Sequence, residues 1–148
     1  MDHGPNSELA PQLAAWRDAV GELAFASAFA TPDGGCDLVR SLASLVQTHP
    51  QLSLAIDEPL VAALLDVSAD ASAALALVEP LAGYMLSRAP GGRHLATVVL
   101  VDQASEHHAE GASAALALVG ALATALAEPV GNTTPKLRPN PNRELRLN

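Results

Sequence analysis

The sequence has one cysteine, Cys36, which excludes an intramolecular disulfide framework and any metal site built on several thiolates. Aromatic residues make up 3%, with a single isoleucine, Ile56, so the residues that favour strands are scarce. Neither Gly-x-Gly-x-x-Gly nor a phosphate loop occurs, which leaves nucleotide binding without a motif. Gly-x-Ser-x-Gly, Glu-x-x-His and His-Glu-x-x-His are also absent, so neither a serine-hydrolase elbow nor a di-iron or zincin signature is written here. The longest uncharged run, 111–127, is too short and alanine-rich for a membrane span. The first residues, "MDHGPNSE", lack the basic and apolar regions of a secretory signal. A cytoplasmic protein is the expectation.

What the 148 residues do contain is alanine and leucine, the strongest apolar helix formers. They predict an all-α fold: a compact bundle of about five helices in one domain, 1–128, followed by an extended or disordered basic tail, 129–148. Charge divides at the same point. Residues 1–128 hold 15 acids and 4 bases, net −11, whereas 129–148 hold Lys136, Arg138, Arg143 and Arg146 against Glu144, net +3. An acidic body argues against nucleic acid as the main partner, because phosphate binding needs a basic face.

The first helix is expected over 8–30, capped by Ser7, with Pro11 in its first turn. Leu9, Leu13, Trp16, Val20 and Leu23 form its seam, and Phe25 and Phe29 fall off it, which predicts a buried helix end or a subunit interface. Further helices are expected over 37–48, ended by Pro50, and over 58–67, opened by Pro59. "QLSLAID" at 51–57 alternates like a strand but reads equally well as irregular chain. A fourth helix, 70–88, should kink near Pro80, and "APGGRH" breaks the chain after it. A long last helix spans 95–128. Its opening, "TVVLVD", could instead be a buried parallel strand with "LSLAID" as mate, but two strands alone would be marginal.

The octapeptide "ASAALALV" occurs at 71–78 and again at 112–119. Its flanks do not match at the same offset, so it reads as a packing face used twice rather than as a duplicated functional unit. Ala71, Leu75, Val78 and Ala82 would line the first face, and Ala112, Leu116, Val119 and Ala123 the second. The two helices are expected to pack on each other or on copies of themselves.

The polar cluster "DQASEHHAEG", 102–111, carries the candidate chemistry. On a helix, His108 points with Val101, Ala115 and Val119 toward the core, and Asp102, Glu106 and Glu110 form a solvated face. Imidazoles exchange protons near neutral pH, so His108 is the candidate general acid or base. His49, Asp102 and Tyr84 are the groups that would orient a substrate. His49 otherwise serves to cap the carbonyls of its helix. If a metal binds, His107, Glu106 and Glu110 are the ligand types on hand. No cofactor is expected.

The leading functional expectation is a binding or oligomerisation protein, a homo-oligomer and most simply a dimer, with a small-molecule ligand open. The alternative is a cofactor-free acid–base enzyme of the isomerase, lyase or cyclase type. Metal binding stands third.

Overall fold

A computed structural model of the chain describes the backbone of residues 6–128; the basic tail expected over 129–148 lies outside the described residues. The fold is mixed α/β, not all-α. Helices α1 (Asn6–Phe29), α2 (Gly35–Thr48), α3 (Glu58–Asp66) and α4 (Asp70–Val78) precede three strands. The strands are β1 (Ala82–Arg88), β2 (His94–Leu100) and β3 (His107–Gly111), and the last helix is α5 (Ala114–Ala127).

The first three helices lie close to the expected spans. A short 3₁₀ turn, Pro32–Gly34, links α1 to α2. Asp57 caps α3, its side chain accepting from the Leu60 amide at 3.1 Å. The segment 51–57 is turn and irregular chain, so it supplies no strand.

Two expectations fail beyond Val78. The fourth helix does not kink at Pro80 but ends before it, and residues 82–88 become a strand. Proline cannot donate the next helical bond, and Gly83 and Tyr84 behind it are weak helix formers. The long last helix is likewise replaced by β2, a loop and β3, with helix only from Ala114. Ser113 sets that start: its extended backbone ends the strand segment, and its hydroxyl accepts from the Leu116 amide at 3.2 Å.

The three strands form one antiparallel sheet in the order β1-β2-β3. β2 therefore has two antiparallel partners rather than a parallel mate at 51–57. The β1–β2 register pairs Ala82 with Leu100 and Arg88 with His94; the β2–β3 register pairs His94 with Gly111 and Val98 with His107. "APGGR" closes the hairpin. The Ala89 amide bonds the Arg93 carbonyl at 2.8 Å, and Gly92 takes the left-handed conformation (φ 86°) that a short hairpin loop requires.

Helix α5 is the centre of the molecule. All of it is buried except Ala114, Thr124 and Ala127, as expected of a helix apolar on every side. β2 and β3 cover one side, and α1, α2 and α4 the other. Gly120 lets Ser27 of α1 and Ala109 of β3 approach the helix axis; a methyl there would stand 2.7 Å from the Ser27 hydroxyl.

The repeated octapeptide does form two helices that pack on each other, but it meets two environments. In α4, Ala73, Ala74, Leu77 and Val78 are buried, while Ala71 and Leu75 of the expected face are only half-buried. In the second copy Ala115–Val119 are all buried, and Ala112 and Ser113 precede the helix. Position in the layers, not sequence, decides burial here. In α1, Val20 is fully buried but Leu9 is exposed, and Phe25 and Phe29 stack on each other in solvent, 71% and 75% exposed. They are not a buried helix end.

Candidate functional site

The sheet fixes where the candidate chemistry lies. Side chains alternate across a strand with period two. Ala96, Val98 and Leu100 of β2 are buried against the helices, so Leu95, Thr97 and Val99 face outward. The register carries that division across all three strands. Tyr84, Val98 and His107 form one row on the helix side; Met85, Thr97 and His108 form one row on the outer side.

His108 is thus turned away from the core. Its side chain is 67% exposed, its Nδ1 lies 2.8 Å from the Thr97 hydroxyl, and its Nε2 is 3.9 Å from Glu106. Its neighbour His107 points inward and is 6% exposed, with Nε2 3.5 Å from Glu128 and no hydrogen bond within the described residues. A helix would have placed these two histidines the other way round.

The metal candidates separate for the same reason. Glu106 and Glu110 share the outer face with His108, whereas His107 lies beneath the sheet. Glu110 is engaged by Arg93, whose Nε donates to it at 2.7 Å. Among the described residues no group of three or more His, Cys, Asp or Glu is placed to hold a metal ion.

His49 and Asp102 do come together. Both line a cavity of about 620 Å³, with Trp16, Arg17, Gln103 and Glu128 among its other walls. His49 ends α2, and its Nδ1 accepts from the Leu52 amide at 3.4 Å, while its ring meets Trp16 at a centroid distance of 5.0 Å. Trp16 is held in turn by its indole N–H, which donates to the Leu45 carbonyl at 2.7 Å. Asp102 sits at φ 68°, a left-handed position that aspartate tolerates, as the chain leaves β2. His108 and Tyr84 are not part of this cavity.

The feature that the helical reading missed is strand β1. After Ala82 every residue of it is exposed: Met85 at 73%, Tyr84 and Leu86 at about two-fifths each. The helical layer that covers β2 and β3 stops short of it. Among the described residues nothing pairs with its outer edge either. The Val101 amide bonds the Leu81 carbonyl, and the Ala89 amide bonds the Arg93 carbonyl. These bonds show that odd-numbered residues of β1 spend their backbone groups on β2. By alternation, the N–H and C=O groups of Ala82, Tyr84, Leu86 and Arg88 point away from the sheet. From 82 to 87 the strand carries no charge and no proline, the usual guards of a free edge. The opposite edge is guarded: β3 has five residues, includes Glu110 and packs beside α1.

Among the described residues no helix is long and apolar enough to cross a membrane. Compared with known proteins, the chain matches no family model, no curated protein and no solved structure.

Proposed function

We propose that this chain is a small cytoplasmic binding protein whose contact element is strand β1. The observation that carries the reading is a strand uncharged over 82–87, with apolar side chains on both faces and edge backbone groups that no described residue engages. Such an edge recognises an extended segment through main-chain hydrogen bonds, with side chains on alternate faces adding selectivity. Acid–base catalysis has less support, because His108 stands on an open sheet face rather than in an enclosed site where polar groups converge.

The test is sedimentation velocity on the full chain, run alone over a wide concentration range and again with a labelled peptide of residues 81–89. The control is Leu86→Pro, which removes an outward N–H and leaves the ladder to β2 intact. The wild type should take up the peptide, itself or both, and Leu86→Pro should take up neither. A wild-type chain that binds neither at any concentration contradicts the proposal.

A further inference from the structure

We infer that the occupant of the β1 edge is β1 of a second copy, paired antiparallel about a twofold axis through Met85. The inference rests on the reading of β1 as a contact element and names its partner.

The backbone allows this pairing without rearrangement. Hydrogen-bonded pairs must match outward-pointing residues with outward-pointing residues. Centring the pair on Met85 sets Tyr84 opposite Leu86 of the other copy and Ala82 opposite Arg88, and it uses the whole strand. All four outward-pointing residues then gain both of their backbone bonds. The two three-stranded sheets become one continuous sheet. On the helix side, each Tyr84 packs on a Leu86, an aromatic–aliphatic cross-strand contact of the kind that stabilises sheets. On the outer side the two Met85 side chains meet at the axis.

Charge selects the antiparallel direction and this chain as partner. Arg40 pairs with Asp37 and Arg93 with Glu110, whereas Arg88 has no ion-pair partner among the described residues. The other end of the strand is acidic. Glu79 precedes it in the turn, and Asp102 follows Val101, whose amide is bonded to Leu81. Antiparallel self-pairing brings each Arg88 to the acidic end of its partner. A parallel pair would instead set Arg88 beside Arg88.

The register is tested by cross-linking in a Cys36→Ser background under a mild copper(II) oxidant. Met85 faces its own copy across a non-hydrogen-bonded pair, where Cα atoms stand about 4.5 Å apart, within the disulfide range. Met85→Cys should therefore give a covalent dimer in high yield. Gly83→Cys and Ser87→Cys should cross-link poorly alone and well when mixed, because each lies opposite the other. Met85 and Ser87 are exposed and Gly83 has open space around it, so these variants keep the fold, which far-UV circular dichroism checks.

A dimer that Phe25→Cys traps and Met85→Cys does not would overturn the inference. A monomer at every concentration would overturn it as well. If that monomer still takes up the strand peptide, the contact-element reading survives; if it does not, both fall.

Discussion

Leu122→Ala is expected to cost about 2–5 kcal/mol of unfolding free energy, the range for removing most of a buried leucine side chain and leaving its cavity. Leu122 is fully buried in α5, the helix that touches both the sheet and the other helices. A void there has packed neighbours on every side, so the site cannot collapse cheaply. Since domains are stable by only about 5–15 kcal/mol, this single change removes a large share of the total. Leu54→Ala is the matched control: Leu54 is 89% exposed, and its loss should stay within about 0.5 kcal/mol. Urea unfolding followed by circular dichroism, at one fixed protein concentration, reads both. Equal effects of the two changes would contradict a core centred on α5.

Gly111→Ala should be costly for a different reason. Gly111 closes β3 opposite His94, where the strand turns over the first turn of α5. A methyl there would stand 2.6 Å from the Ala117 amide nitrogen and 2.9 Å from the Leu116 carbonyl carbon. Both neighbours are backbone, so neither can swing aside, and the strand end must lift from the helix. Overpacking of this kind costs about 1–3 kcal/mol or more. Gly83→Ala offers the contrast, because no atom lies within 4 Å of a methyl added there. It should be neutral or slightly stabilising, with a gain of up to about 1 kcal/mol through the unfolded chain. The same urea titration separates the two. A neutral Gly111→Ala would mean that β3 does not pack on α5 as described.

That glycine was also the clue in the sequence to where the last helix begins. "EGASAALALV" holds a glycine, then Ser113 as an N-cap, then an apolar run. Read without it, 95–128 passes for one helix, because no proline interrupts it and alanine dominates. "HLATVVL" carries the β-branched residues that mark β2, but its true partners were hidden. One, 82–88, lies behind Pro80 in what reads as a kinked helix. The other, 107–111, is too polar to look like a strand. "APGGR" was recognisable as a break, and its glycine in a short loop fits a hairpin as well as a link between helices.

Where local propensity and final structure agree, the elements were legible. α2 and α3 lie between proline, glycine and aspartate signals and came out close to their observed bounds. The candidate site was less so. The polar residues of 102–111 suit a period of 3.6 and a period of two alike, and the two periods give His107 and His108 opposite directions. That His49 and Asp102 share a cavity depends on tertiary packing, which one chain's periodicity does not encode. Strand β1 stays invisible wherever 82–88 is taken as helix.

Amide hydrogen exchange along β1, measured on the full chain at low and at high concentration, tests the account most directly. The amides of Gly83, Met85 and Ser87, which bond β2, should be protected at both concentrations. Those of Tyr84, Leu86 and Arg88, which face away from the sheet, should exchange fast when dilute and slow markedly as concentration rises. Fast exchange of those three at every concentration would contradict the account.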